Sequence, residues 1–423
     1  MPVTFENWVG RRSVQVLATN AGAEALAFQN WRRFKESFAP ELIRRAVDES
    51  ARDVKSCIDP FGGSGTTALA CQFLGVRPST IEVNPYLADL IEAKLAAYNV
   101  GSLSRDFASV VRIVNDHTLW QPNLFGEAPK TLVEPGVNGR WVFGRDLATR
   151  IYAYNAAFSS LDNTINARLF RVLLGGVLVE LSNVIVSGKG RRYRSDWTRR
   201  RPQTGADLDR ALLASVESAI GDIVRYAERK ELGYTLLRGD SRALLGQLDK
   251  VDLVLFSPPY PNSFDYTDVY NVELWALGYL KSASDNRELR LSTLTSHVQV
   301  KRTYAAAPAT SPILAQTLEN LELRRESLWD QSLIAMVGGY FSDMQQIMSE
   351  SLQRLHSGGE MWMVVGDSKY ADVPVLVGAI LEEMATTMGC EVTRREPMRS
   401  MRSSAQQGGQ HELAESLIVI SAP

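Results

Sequence analysis

Apolar positions at helical spacing begin at residues 38–50, FAPELIRRAVDES, and Pro40 suits the first turn of the helix this predicts. VKSCI (54–58) follows as a short buried strand, DPFGGSG (59–65) as a tight glycine turn, and TTALACQFLG (66–75) as a helix stopped at Gly75. STIEV (79–83) predicts the next strand and PYLADLIEAKLAAY (85–98) another helix. Strand, glycine turn, helix, strand and helix in that order open a doubly wound α/β sheet.

The rhythm breaks near residue 100. The stretches 146–162, 166–182 and 206–229 carry helical periodicity, so 100–232 predicts a mainly helical insertion. Strands resume with YTLLRGD (234–240) and VDLVLF (251–256), and a second irregular stretch rich in Ser, Thr, Arg and Ala covers about 281–335. A helix at 339–355, ended by Ser357-Gly358-Gly359, feeds the strand MWMVVGD (361–367). A helix at about 374–388 and the strands CEVTRRE (390–396) and ESLIVISA (415–422) close the chain, with an Arg-, Gln- and Gly-rich loop at 397–414. The expected architecture is one Rossmann-like α/β sheet, mostly parallel with a C-terminal antiparallel hairpin. It is assembled from 1–99 and 233–423 and interrupted by 100–232 and, more briefly, by 281–335.

Composition alters this picture little. Hydrophobic residues make up 45% and charged residues 22% of 423, ordinary values for a soluble globular protein. A net charge of −2 gives no global basic field, so any nucleic-acid surface must come from local clustering. Cys57, Cys71 and Cys390 are few, odd in number and far apart, which argues against a disulfide framework and for a reducing compartment. Four scattered His residues and no CxxC spacing give no metal signature. With no leader-like N-terminus and no apolar run of about eighteen residues, a cytoplasmic location is the expectation.

Chemistry gathers at the predicted strand ends. In open α/β sheets ligands bind outside the carboxyl ends of the strands. Asp59, Pro60, Phe61, Gly62, Gly63, Ser64, Gly65 and Thr66 lie between a strand and a helix, where glycines admit a ligand close to the backbone and the helix offers unpaired N–H groups. The absence of GK[ST] and of G-x-G-x-x-G spacing argues against a phosphate loop. Glu82 closes the second strand, where an acidic residue grips ribose hydroxyls; its competing role is a charge at the next helix N-terminus. Asp240 and Ser241 close a third strand. FSPPY (256–260) ends the fourth, and two consecutive prolines cannot continue a sheet because neither donates an N–H. Ser257 offers a hydroxyl, Pro258 a rigid carbonyl and Tyr260 a flat ring. Two acceptors and a ring suit an exocyclic amine on a flat heterocycle: the acceptors bind the amine hydrogens out of plane, localising the nitrogen lone pair for attack on an electrophilic methyl.

With DPFGGSGT and SPPY in place, the chain resembles the amino-group DNA methyltransferases, which form N4-methylcytosine or N6-methyladenine from S-adenosylmethionine. The resemblance covers about 34–98 and 234–423. It implies that Phe34 and Lys35 lie at the methionine end of the cofactor, that Asp59 to Thr66 form the cofactor loop, and that Glu82 holds the ribose. It also implies that Asp240 and Ser241 lie at the adenine, and that Ser257, Pro258, Pro259 and Tyr260 are catalytic. Ser at the first catalytic position leans towards cytosine N4 within that family. The insertion between the Glu82 and Asp240 strands departs from the family's usual arrangements.

The sharpest local charge lies inside that insertion. KGRRYRSDWTRRR (189–201) holds seven basic residues, Lys189, Arg191, Arg192, Arg194, Arg199, Arg200 and Arg201, against Asp196, with Tyr193 and Trp197 between them. Such a run fits phosphate neutralisation with base stacking, although many charge runs are merely solvated faces. Arg287, Arg290, Lys301 and Arg302 form a weaker patch, and Arg394, Arg395, Arg399 and Arg402 accompany the final hairpin. The reading is a site-specific DNA methyltransferase acting on a base flipped from duplex DNA, cytosine N4 before adenine N6. Its rivals are an RNA base methyltransferase and a non-catalytic cofactor-binding recognition subunit. A restriction or phage-defence protein is an expected companion.

Overall fold

A computed structural model describes all residues except 1–2, 13, 21, 34–36, 117–123, 188–189, 403–411 and 423. Seven strands form the main sheet: β1 (Ser56–Asp59), β2 (Arg77–Glu82), β3 (Thr235–Arg238), β4 (Val251–Phe256), β5 (Leu355–Gly366), β6 (Glu391–Arg402) and β7 (Glu412–Ser421). Their spatial order is β6-β7-β5-β4-β1-β2-β3. The pairings β4–β5, β1–β4, β1–β2 and β2–β3 are parallel, whereas β7 runs antiparallel to both neighbours. This is the Rossmann-like sheet with a C-terminal antiparallel hairpin that the sequence predicts.

The central strands read as unbroken apolar runs because both faces are covered. Along β4, Leu253 and Leu255 pack on one face, while Val254 and Phe256 pack on the other. In β5, Trp362 and Val364 oppose Met361, Met363 and Val365 in the same way. Burial of each such side chain contributes about 1.5–3 kcal/mol. Helices Pro40–Glu49, Thr66–Leu74 and Pro85–Leu95 cover the first face. Ser332–Gln353, Pro312–Leu323 and Val377–Thr387 cover the second.

The insertion is helical but is not a separate lobe. Its helices Val100–Asp116, Arg145–Ser159, Thr164–Leu181 and Gly205–Arg225 share the core of the first face. Gly175 permits one close approach: a Cβ there would lie 2.5 Å from the Tyr86 ring, whose hydroxyl donates to the Val172 carbonyl at 3.2 Å. What projects from this packed layer is a two-stranded ribbon, Val184–Ser187 with Gly190–Tyr193, that periodicity did not reveal.

Three local expectations need correction. The stretch 281–335 contains the helices Ala283–Ser292 and Pro312–Leu323, started by the side-chain caps Ser282 and Ser311. The first buries none of its side chains, so it leaves no apolar stripe to read. The helix placed at 339–355 begins earlier, at Ser332, and β5 already starts at Leu355, so the glycines at 358 and 359 lie within the strand. The hairpin strands extend to Arg402 and from Glu412, well into the expected loop.

Candidate active site

A cavity of about 440 Å³ lies at the carboxyl ends of β1, β2, β3 and β4. Asp59, Pro60, Phe61, Gly62, Gly63, Thr66, Glu82, Asp240, Ser241, Ser257, Pro258, Pro259 and Tyr260 all line it. Four separate sequence motifs thus converge on one space. Gly65 sits just behind, with φ +79°, as the N-cap of Thr66–Leu74. Phe34, Lys35 and Lys189 lie outside the described residues.

The glycine loop is held tightly. Gly62 donates its N–H to the Ile81 carbonyl at 2.9 Å, and Gly65 to the Gly62 carbonyl at 2.8 Å. A Cβ on Gly62 would stand 2.4 Å from Thr80 Oγ1 and 2.9 Å from the Ile91 side chain, so a larger residue would have to displace those side chains. Beneath the loop, the fully buried Lys94 donates to the Ser64 carbonyl at 2.7 Å and to Gln29 Oε1 at 2.9 Å. Burial lowers this ammonium to about 7.

Two carboxyls are buried against the same cavity. Glu82 accepts from the Gly63 N–H at 2.6 Å and from the Asn84 N–H at 2.8 Å. Burial outweighs these bonds and raises Glu82 to about 7. It also raises Asp59 to about 6, against the bonds from Thr67 and the Phe61 N–H. Asp240 caps the short turn Ser241–Leu244 and pairs with Arg242 at 2.7 Å. Arg242 continues to the buried Asp343 at 2.8 Å, which accepts the Thr295 N–H at 2.8 Å, so the second insertion is tied to the strand end.

The FSPPY segment closes the other side. Ser257 Oγ lies 3.1 Å from Tyr260 Oη, and Tyr260 donates to Glu415 Oε1 at 2.8 Å. Arg399 Nε donates to Glu415 Oε2. These two residues face each other across the β6–β7 pairing, just after a bulge at Pro397/Arg399. Burial, and then the Glu415 charge, push the Tyr260 hydroxyl well above its ordinary range, so it stays a protonated donor.

The arrangement offers neighbouring ligand environments. A glycine loop, a helix N-terminus and buried carboxyls suit a nucleoside-bearing cofactor. The Ser257 hydroxyl, Pro258 carbonyl and Tyr260 ring suit a flat amine. Residues 10–93 match the profile of a family described as DNA methylase. Over 434 residues the chain is 25% identical to the Type II methyltransferase M.BsoBI of Geobacillus stearothermophilus, covering 91% of this chain and 83% of that protein. It is 23% identical over 412 residues to the Type II methyltransferase M.AvaI of Nostoc sp., covering 90% and 83%. A 72-residue segment is 31% identical to the Type II methyltransferase M.MjaII of Methanocaldococcus jannaschii, covering 17% of this chain and 14% of that protein. These matches make residues 10–93 similar to a DNA methylase family and most of the chain similar to Type II methyltransferases.

Several cavity residues escaped sequence reasoning. Glu415 is one; its only signal is an acidic residue heading a buried strand. His297 is another, almost wholly buried in the cavity wall, with neither ring nitrogen hydrogen-bonded among the described residues. Burial lowers it to about 4, so it is a neutral imidazole. The Ser263 N–H donates to the Ser296 carbonyl at 2.9 Å, which fixes this wall against the loop after FSPPY.

The basic run divides into two groups. Arg194 donates to the Ser182 and Val179 carbonyls at 3.1 Å, and Arg200 to the Glu180 carbonyl at 3.2 Å, capping the end of Thr164–Leu181. Arg201 pairs with Asp207 at 2.8 Å. Tyr193, Trp197 and Trp141 pack on one another at 5.3–5.4 Å, so those rings are engaged internally. Arg191, Arg192 and Arg199 have no ion-pair partner among the described residues. The ribbon reaches the 266–269 turn, whose Tyr266 and Thr267 line the cavity, with Gly190 facing the Asp268 carboxylate. No helix among the described residues is long and apolar enough to cross a membrane.

Proposed function

We propose that this protein methylates the exocyclic amine of a base flipped out of duplex DNA, with cytosine N4 as the target. One observation carries the reading: the Ser257–Pro258–Pro259–Tyr260 segment and the Asp59–Thr66 loop open into the same cavity. S-adenosylmethionine, when bound, supplies an electrophilic methyl group. Glu82 would accept its ribose hydroxyls, Asp240 and Ser241 would lie at its adenine, and Asp59 to Thr66 would follow its chain, with Phe34 and Lys35 beyond. The Pro258 carbonyl and Ser257 Oγ would accept the two amine hydrogens, while the Tyr260 ring would stack on the base. A paired base cannot reach this depth, which requires flipping. Ser at position 257 leans towards cytosine N4 over adenine N6 within the family that the chain resembles. Arg191, Arg192 and Arg199 would meet phosphates beside the cavity, and the helical insertion would orient that surface. A cytoplasmic setting and a restriction or phage-defence companion belong to the same reading.

The test is methyl transfer from labelled S-adenosylmethionine to duplex DNA, single strands and transfer RNA, followed by mass spectrometry of the nucleosides. N4-methylcytosine from duplex DNA is expected. N6-methyladenine would move the target base, methylation of transfer RNA alone would move the substrate, and binding without turnover would leave a recognition subunit.

Cofactor affinity carries a pH signature. A ribose hydroxyl needs the ionised Glu82 as acceptor, and Glu82 is raised to about 7. Affinity should therefore be highest above pH 7 and fall about tenfold per unit well below it, as the carboxylate fraction falls. Fold stability has the opposite sign: the preference for neutral Glu82 stabilises the free protein at low pH and is lost as pH rises through 7. Calorimetric titration at pH 6 and 8 checks this, with Glu82→Gln expected to flatten the dependence. An equal affinity at both pH values for the wild type removes Glu82 from the ribose site.

A further inference from the structure

The methyl-transfer reading leaves a proton without a destination. A serine hydroxyl is too weak a base to keep one, and Ser257 is the nearest side chain to the proposed amine. The hydrogen-bond directions around it supply an answer. Glu415 is nearly fully buried and faces Arg399, so its carboxylate is an acceptor with a fixed counter-ion. Tyr260 has one hydroxyl proton, and its closest acceptor is Glu415 Oε1 at 2.8 Å; the Val364 carbonyl is farther, at 3.4 Å. With that proton committed, Tyr260 Oη can only accept from Ser257, 3.1 Å away. Ser257 thereby spends its proton on Tyr260 and keeps its lone pairs free to accept.

We infer that Glu415 is a positioning residue and the terminal proton acceptor of the reaction, acting through Tyr260 and Ser257. This rests on the methyl-transfer reading above. As the amine lone pair forms the nitrogen–carbon bond, the carbon–sulfur bond breaks and its electron pair stays on sulfur. The excess proton on nitrogen passes to Ser257 Oγ, the Ser257 proton to Tyr260 Oη, and the Tyr260 proton to Glu415 Oε1. Ser257 and Tyr260 end neutral, as they began. The positive charge lost from sulfur is balanced by the negative charge lost from Glu415. The relay gives a serine site the carboxylate base it lacks, placed on β7, two strands from β4, where it does not crowd the target base.

Glu415→Gln keeps the shape and removes the proton acceptor; Tyr260→Phe keeps the ring and cuts the chain. Each should slow the single-turnover rate about 10²-fold, the range of positioned proton transfer. Affinity for S-adenosylmethionine and for duplex DNA should stay within twofold of wild type. The double variant should be no slower than either single one, because both cut one chain. A readout independent of turnover is the infrared difference between free wild type and Glu415→Gln, which should show an ionised carboxylate. A protonated acid band there, a Glu415→Gln rate within threefold of wild type, or losses that multiply in the double variant would each overturn the relay. If wild-type protein transfers no methyl group to DNA, the underlying reading falls instead, and the infrared band still reports the state of Glu415.

Discussion

Ser257→Ala should lower methyl transfer to duplex DNA by roughly 10²–10³-fold, the cost of deleting one preorganised hydrogen-bonding group from a closed site. Cofactor affinity should not change. The asymmetry follows from position. The Ser257 side chain hydrogen-bonds Tyr260, and no hydrogen bond joins it to the glycine loop or Glu82 among the described residues. The substitution also removes little structure, because Tyr260 keeps its stronger bond to Glu415. Melting temperature should therefore stay near that of wild type. Single-turnover kinetics with calorimetry of cofactor binding separates the outcomes. A near-normal rate would show that Ser257 does not receive the amine. A normal rate constant with lost affinity would place Ser257 in the cofactor pocket.

Much of this site is legible in the sequence because its elements break local rules. FSPPY ends a buried strand with residues that cannot stay in a sheet, and DPFGGSGT concentrates glycines where a βα turn needs only one. Such segments stand out against the apolar rhythm around them. The mostly parallel sheet with its C-terminal hairpin was legible for a similar reason: βα units leave few topologies open. Glu415 was not legible. Its partner Tyr260 is 155 residues away, and Glu415 reaches it on β7, which pairs with β5 so that Glu415 stands opposite Gly366. His297 was hidden in the same sense, since its stretch shows no periodicity and gains meaning only by packing on the Ser263 loop. Sequence pattern reports local choices, whereas cross-strand register and loop packing are set by the whole fold.

The basic run shows the same boundary and yields the other large expected effect. Read as sequence, Arg199, Arg200 and Arg201 are equivalent. In the fold they are not. Arg200 serves helix-end carbonyls and Arg201 serves Asp207, a residue that also completes the capping box of Gly205–Arg225. Replacing those two would loosen the insertion and confound a binding measurement. Arg191, Arg192 and Arg199 are the informative set, since they have no ion-pair partner among the described residues. Replacing all three with Ala should make the dependence of log affinity on log salt shallower by about 2.7, at about 0.9 per phosphate contact. At about 0.1 M salt that corresponds to roughly 10²–10³-fold weaker binding. Specific and non-specific duplexes should weaken alike, because phosphate contacts position a protein without reading bases. Affinity measured against salt for both duplexes, with melting temperature as the control, decides the matter. An unchanged slope would make the ribbon a solvated face. An unchanged slope with altered site preference would mean that these arginines read base edges, where Arg pairs bidentately with guanine.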